Sequence, residues 1–107
     1  MYAIIRHYIP QTGAVSKDDV SKLKTRLESG FLPLVQEVPG FHSYYAVNVA
    51  DNELVTVGVF ETADGAAEST RRAAEFVRND PLRDRLGTPE IMEGEVLAAR
   101  EAAVGAR

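Results

Sequence analysis

Two apolar runs separated by a short polar turn constrain this chain more than any other feature of its sequence. The first run is FHSYYAVNVA, residues 41–50, and the second is ELVTVGVFE, residues 53–61. Both are rich in β-branched and aromatic residues, which is typical of strands. Between them stands Asp51-Asn52, whose residue types favour a tight turn. The pattern therefore predicts an antiparallel β-hairpin.

The length of the hairpin loop decides which side chains share a face. A two-residue loop places Ala50 opposite Glu53 and Tyr45 opposite Gly58, whereas a three-residue loop shifts this pairing. With two loop residues, one face carries Phe41, Ser43, Tyr45, Val47, Leu54, Thr56, Gly58 and Phe60. The other face then carries His42, Tyr44, Ala46, Asn48, Val55, Val57 and Val59.

A helix is predicted to precede the hairpin. Ser16 and Asp19 resemble a capping box, with an acidic residue in place of the usual Glu or Gln, so the helix should begin near residue 17. Its apolar residues recur at steps of three and four and form one stripe of Val20, Leu23, Leu27, Phe31, Leu34, Val35 and Val38. Gly30 and Pro33 interrupt this pattern, which predicts a kink or a short break near residues 30–33.

Three further elements complete the order. Residues 2–9 read as a strand, residues 63–79 as an alanine-rich helix and residues 91–98 as a final strand. Strand, helix, hairpin, helix, strand is the βαββαβ order of a ferredoxin-like α+β fold. We therefore expect one domain over residues 1–98, with a four-stranded antiparallel sheet and two helices on one face. Residues 99–107 are expected to be a tail that is mobile at its end.

The composition narrows the classes of function. The chain of 107 residues has no cysteine, which removes thiol catalysis, Cys-ligated zinc and iron–sulfur clusters and fits a reducing cytoplasm. With 12 basic and 16 acidic residues, it shows no basic run of the kind that nucleic acid requires. The apolar run at the N-terminus is too short for a signal or a membrane span. We expect a cytoplasmic protein without a nucleic-acid or membrane partner.

The hairpin also predicts association, because neither of its faces is polar. When both helices cover one face of a sheet, the other face should be polar if it meets water. The simplest cover for a second apolar face is another copy of the chain under twofold symmetry. We expect a homodimer; the alternatives are a monomer with an exposed apolar sheet and a partner of another sequence. The dimer-face candidates are His42, Tyr44, Asn48, Val55, Val57 and Val59.

Around the hairpin the sequence resembles a known group of proteins. Pro39-Gly40-Phe41, the tyrosine-rich strand and LVTVGVFETADGAAES leading into an Ala/Arg helix resemble the antibiotic biosynthesis monooxygenase-like families, over most of residues 2–98. The resemblance implies a dimeric α/β barrel with a ligand pocket between the sheet and the helices. Members include cofactor-independent oxygenases of electron-rich aromatic compounds and haem-degrading enzymes, and many have no assigned activity. A small-molecule ligand is therefore expected.

Two positions depart from what the resemblance implies for its enzymes. A tryptophan near the end of the third strand in the haem-degrading relatives, and in many of the aromatic oxygenases, matches Phe60 here, and this chain has no tryptophan. The helix histidine that holds haem should fall near Arg71, whereas the only histidines are His7 and His42. These departures disfavour haem degradation, and no cofactor is expected. They also weaken the link to the oxygenases.

The candidate catalytic residues are Tyr45 and His7. A phenol at Tyr45, opposite the missing side chain of Gly58, could hydrogen-bond a phenolate or a peroxide, and a histidine has the pKa of a general base. Each residue has a structural alternative, as a packed tyrosine or a strand histidine. The pocket-lining candidates are Phe41, Ser43, Tyr45, Thr56, Gly58, Phe60, Lys24 and Arg71. The spacing of histidines and carboxylates shows no metal site.

Two functions therefore remain open. The first is a cofactor-free oxidation of a small aromatic or quinol, which requires an enclosed pocket with a titratable group. The second is a non-catalytic small-molecule-binding or accessory dimer. An RNA-binding module of the same fold is disfavoured by the acidic balance and by the absence of aromatic RNA-binding motifs on the strands.

Overall fold

The computed structural model describes residues 1–102, without the side chain of Asp51. The strands are β1 (Tyr2–Tyr8), β2 (Phe41–Val49), β3 (Glu53–Phe60) and β4 (Glu90–Glu95). The helices are α1 (Lys17–Arg26), α2 (Leu32–Gln36), α3 (Ala63–Arg78) and α4 (Arg83–Leu86). All strand pairs are antiparallel and the sheet order is β2-β3-β1-β4, so the predicted ferredoxin-like α+β fold is confirmed. The predicted mobile end of the tail falls on residues 103–107, which lie outside the described residues.

The predicted start of the first helix is confirmed by its cap. Ser16 Oγ accepts a hydrogen bond from the Asp19 backbone N–H at 3.1 Å, and Asp19 Oδ2 accepts one from the Ser16 N–H at 3.0 Å. This reciprocal capping box satisfies two N–H groups that a helix start otherwise leaves without partners. Asp19 also stands where the positive end of the helix dipole favours a carboxylate.

The predicted interruption of this helix is a widened turn. A π-helical segment, Leu27–Phe31, joins α1 to α2, and the Leu32 backbone N–H bonds to the Leu27 carbonyl five residues earlier. Pro33 follows at the start of α2 and has no N–H to continue the α-helical ladder. The extra residue in the turn lets Phe31 enter the core, where it is only 1% exposed.

The hairpin has a three-residue loop, so the pairing predicted from a two-residue loop is wrong. Ala50–Asn52 form a 3₁₀ turn, and Asn52 takes a φ of 60°, as the last residue of such loops commonly does. Val49 therefore pairs with Glu53, and Gly58 pairs with Tyr44 instead of Tyr45. The Asn52 side chain anchors the turn by donating to the Val15 carbonyl at 3.0 Å.

The shifted register exchanges the faces of most β2 side chains. Tyr44, Ala46 and Asn48 share a face with Leu54 and Thr56, because directly paired residues lie on the same side of a sheet. By the same rule, the outer face carries Ser43, Tyr45, Val47, Val55, Val57 and Val59. A register irregularity between Phe41 and Ser43 restores Phe41 to the inner face, where it pairs with Phe60. The two residues were predicted to share a face, but not to pair.

The core lies between the inner face of the sheet and the helices. Its central cluster joins Ile4 and Phe60 of the sheet to the buried helix-side residues Phe31, Val35, Val38, Ala66 and Ala73. A second cluster contains Tyr8, Val15, Leu23, Leu82 and Leu86. The small residues of α3 allow close approach, since a Cβ on Gly65 would lie 3.1 Å from Phe60 Cβ.

No helix covers the outer face of the sheet within the described residues. Tyr45 is 61% exposed there, Val47 45% and Met92 59%. Across residues 1–102, no helix is both long and apolar enough to cross a membrane.

Candidate functional site

A buried arginine forms the centre of the candidate site. Arg6 lies on β1 opposite Thr56 and is 1% exposed, so its guanidinium sits between the sheet and α3. Nη1 donates to Thr70 Oγ1 of α3 at 3.1 Å, and Nη2 donates to the Tyr44 hydroxyl of β2 at 3.1 Å. The Arg6 side chain also lies 6.0 Å from the centroid of the Tyr44 ring. One cation thus links three elements of the fold.

Arg6 has no anionic partner among the described residues. Apart from Asp51, whose side chain is not described, no carboxylate of residues 1–102 lies within the 4.0 Å of an ion pair, and the Nε atom has no hydrogen-bond partner there. The neighbouring Thr56 Oγ1 is likewise buried without a partner in the described structure. Buried polar groups are normally satisfied, so this concentration of unused hydrogen-bonding capacity marks the site.

A second tyrosine, Tyr8, also lies near Arg6. Burial raises the pKa of the Tyr8 hydroxyl above its usual 10.0, and the nearby Arg6 charge partly opposes that shift. Tyr8 is 3% exposed, which explains why burial has the larger effect.

Two cavities open on either side of the Arg6–Tyr44 hydrogen bond. The first, which we call the hairpin cavity, has a volume of about 320 Å³ and lies between α1 and the β2–β3 hairpin. Tyr44 is one of its walls, while Lys24, Glu28 and Asn48 are its exposed polar residues. The remaining walls are Val20, Leu23, Leu27, Leu32, Ala46 and Leu54.

The second, which we call the arginine cavity, is bounded by β1, α3, α4 and the segment that leads into β4. Its volume is about 590 Å³, and Arg6 is one of its walls. A void of about 20 Å³ between the two cavities is lined by Tyr8, Tyr44 and Thr56, among others. The Arg6–Tyr44 pair therefore lies on the partition between the two spaces.

The structure changes the position of the leading catalytic candidate. Tyr45 and Ser43 lie on the outer face and cannot line a pocket beneath the helices, whereas Tyr44 and Asn48, predicted at the dimer face, line the hairpin cavity. Gly58 also leaves no vacant space, because a Cβ there would lie 2.9 Å from the Phe60 ring and 3.1 Å from the Tyr44 ring.

The other candidates are distributed over the molecule. Phe41 and Phe60 pack edge to face, with ring centroids 6.0 Å apart. Arg71 lies outside these two cavities, on the surface of α3, where it lines a third cavity of about 470 Å³. With Arg72 it lowers the pKa of Glu68 to about 2 through hydrogen bonds. His42 lies 3.4 Å from Glu101 of the tail.

His7 has a carboxylate partner that the sequence did not reveal. Its Nε2 atom lies 2.6 Å from Glu53 Oε1, on the outer face of the sheet. This position separates the pair from both cavities. Across residues 1–102, no group of three or more histidine or carboxylate side chains could hold a metal ion.

Arg6 is the residue that sequence reasoning missed. Arg6 stands between Ile4 and Tyr8 at alternate positions of β1, so the three side chains share one face of a central strand. Two apolar neighbours on that face were the available signal that Arg6 is buried as well. Its partners Tyr44 and Thr70 stand 38 and 64 residues away, so no local pattern identifies them.

Known structures share this fold at low sequence identity. A protein of unknown function from Nitrosomonas europaea, NE2512, has a TM-score of 0.70 at 22% identity, with 95% of this chain and 94% of that chain covered. The ActVA-Orf6 monooxygenase of Streptomyces coelicolor, solved with nanaomycin D, has a TM-score of 0.67 at 18% identity, with 95% and 92% covered. SnoaB, a cofactor-independent oxygenase from Streptomyces nogalater, has a TM-score of 0.60 at 13% identity, with 92% and 94% covered.

Comparisons by sequence add no relative, since no protein-family model and no curated protein matches the chain. The structural neighbours cover nearly the whole chain, and the resemblance seen in the sequence is confirmed at the level of the fold. The chain therefore has the fold of the antibiotic biosynthesis monooxygenase-like proteins.

Proposed function

We propose that this protein is a cofactor-independent monooxygenase that acts on a small aromatic or quinol substrate. The observation that carries the proposal is the hydrogen bond from the buried Arg6 to the hydroxyl of Tyr44, a wall of the hairpin cavity. Two neighbours in fold, the ActVA-Orf6 enzyme and SnoaB, are described as a monooxygenase and a cofactor-independent oxygenase.

The hairpin cavity suits the ring of such a substrate. Its walls are mainly aliphatic and its volume of about 320 Å³ is at the lower end of the usual range for ligand pockets. Lys24 adds an exposed cation to the cavity, and Tyr44 adds a half-buried phenol. A flat apolar ring would contact the walls while an oxygen substituent approaches Tyr44.

Arg6 determines what Tyr44 can do in this cavity. The Tyr44 oxygen accepts a hydrogen bond from Arg6 Nη2, so the hydroxyl hydrogen remains available to donate to a ligand. The Arg6 charge is shielded from water, where its field acts strongly on a nearby anion. The pair is therefore suited to stabilise a phenolate and the peroxide that follows from it.

The reaction needs no electrons from outside the substrate. The anion of a hydroxyaromatic ring that bears an activated methylene gives one electron to O₂, and the resulting superoxide and carbon radical combine into a peroxide. The O–O bond then breaks as the second C–H bond of that carbon breaks. One oxygen stays as a new carbonyl, and the other leaves as hydroxide, which takes up a proton from the solvent to become water. The methylene carbon loses four electrons and O₂ gains four, while the first proton leaves through the open rim of the cavity.

The proposed active form is a homodimer joined through the outer face of the sheet. Tyr45, Val47 and Met92 are between 45% and 61% exposed on that face. A standard interface of roughly 800 Å² per partner would remove these side chains from water. The corrected dimer-face set is Tyr45, Val47, Met92, Val55, Val57 and Val59.

Oxygen uptake tests the proposed activity. The purified protein, with no added cofactor, is expected to consume O₂ with anthrones, which bear the activated methylene, and Tyr44→Phe should lower kcat about 100-fold because it removes the donated hydrogen bond. Tyr45→Phe is the matched control, since it removes the same hydroxyl from the outer face. If the compounds bind by calorimetry without any protein-dependent uptake, the oxygenase proposal is wrong and a binding or accessory role replaces it.

A further inference from the structure

The outer face of the sheet carries a histidine and a carboxylate in direct contact. His7 Nε2 lies 2.6 Å from Glu53 Oε1, a distance at which the two atoms share a proton in a hydrogen bond. Both side chains are 28% exposed, so water still reaches the pair in the single chain. Neither residue lines the hairpin cavity or the arginine cavity, and the pair therefore lies outside the proposed active site.

The strand register gives the surroundings of His7. It stands opposite Val55 on β3 and opposite Glu90 on β4, and directly paired residues lie on the same side of a sheet. Val55 belongs to the corrected dimer-face set. Among the paired strand residues of the outer face, the titratable side chains are His7, Tyr45, Glu53 and Glu90. Two carboxylates thus face His7, and this corner of the face has a charge of about −2 when the imidazole is neutral.

A second copy that covers this face would change the free energy of these charges. A carboxylate beside a neutral imidazole becomes an uncompensated anion when water is excluded, which is costly. A carboxylate beside an imidazolium forms a neutral pair, and the attraction within it strengthens as the local dielectric falls. Protonation of His7 also reduces the charge that each copy brings to the interface. The covered face therefore favours the protonated imidazole more strongly than the single chain does.

We propose that association of two copies through the outer face takes up a proton at His7 of each protomer. The inference rests on the homodimer of the proposed function and adds a regulation to it. Because the dimer binds more protons than two separate chains, acid favours the dimer and base favours the single chain. Histidine side chains ordinarily titrate between about pH 5 and pH 8, so the dimer should tighten as the pH falls through that range.

Sedimentation equilibrium at about pH 7.5 and about pH 5.5 tests the inference. The Kd of the wild-type dimer is expected to be about tenfold lower at the lower pH. His7→Gln should have the same Kd at both pH values within about twofold, because glutamine can still donate to Glu53 but takes up no proton. Glu53→Gln should remove or reverse the dependence, because a covered imidazolium then lacks its nearest carboxylate. This second variant also provides the test if His7→Gln no longer associates.

His42→Gln is the matched control, since His42 is the other of the two histidines in the chain. It stands at the register irregularity of β2, 3.4 Å from Glu101, and its replacement should keep the tenfold dependence. A wild-type dimer with equal Kd at both pH values, or a dependence that both His7→Gln and Glu53→Gln retain, would overturn the proton uptake and leave the homodimer intact. A wild-type monomer at both pH values would overturn the homodimer and the proton uptake together, whereas oxygen uptake reports separately on the proposed activity.

Discussion

The two faces of the sheet are equally apolar in sequence but differ completely in their surroundings. Tyr44 and Tyr45 are neighbours on β2, yet Tyr44 accepts a hydrogen bond from a buried arginine, while Tyr45 is 61% exposed on the outer face. Apolar character alone therefore does not distinguish the core of this protein from a surface available for association. The distinction comes from the helices, which cover one face only.

The hairpin loop decides which tyrosine lies under the helices. One extra loop residue moves the paired β2 side chains from Ser43 to Val49 to the opposite face, because side chains alternate along a strand. Asn52 holds the longer loop through its positive φ and its hydrogen bond to the Val15 carbonyl. A contact 37 residues away thus fixes the register on which the site depends.

The largest expected difference between the faces is in the free energy of unfolding. Phe60→Ala should cost about 3–5 kcal/mol, because Phe60 is fully buried on the inner face and its loss leaves a cavity. Met92→Ala, at 59% exposure on the outer face, should cost less than about 0.5 kcal/mol. Urea denaturation at low protein concentration measures both changes, and similar costs would refute the contrast.

Dimerisation, unlike the free energy of unfolding, should depend on the outer face of the sheet. Val47→Lys places an unpaired charge in the proposed dimer interface and should weaken dimerisation about 100-fold, or about 2.7 kcal/mol. Leu34→Lys is a matched control on the helical side, since Leu34 is 46% exposed and Val47 45%. Sedimentation equilibrium distinguishes the two variants. A wild-type monomer, or equal weakening in both variants, would exclude this dimer.

The smallest expected effect is on the ionisation of Tyr8, which lies on the inner face. Because burial raises the pKa of Tyr8 above 10.0, its stabilising contribution is complete below that pH and decreases as the pH rises through the folded value. Tyr8→Phe should remove a late step from the tyrosinate absorbance titration and reduce the loss of stability above pH 10. A Tyr8 that ionises at its usual pH would show that water reaches the inner face of the sheet.

The sequence carries most of the fold but little of the site. The capping box of Ser16 and Asp19 and the order of strands are local signals, and the structure confirms them. The hairpin register was predicted wrongly because Asp51-Asn52 suits both loop lengths. Arg6 was not identified because Tyr44 and Thr70 approach it only after the sheet and α3 have packed together.

Oxygen uptake by the two adjacent tyrosine variants tests the central claim most directly. In the proposed mechanism, Tyr44 acts on the substrate together with Arg6, and Tyr45 has no part in the reaction. With an anthrone that the wild-type protein oxidises, Tyr44→Phe should lower kcat about 100-fold and Tyr45→Phe should leave it within about twofold. A larger loss of kcat in Tyr45→Phe than in Tyr44→Phe, or an equal kcat in the two folded variants, would contradict the assignment of Tyr44 to the active site.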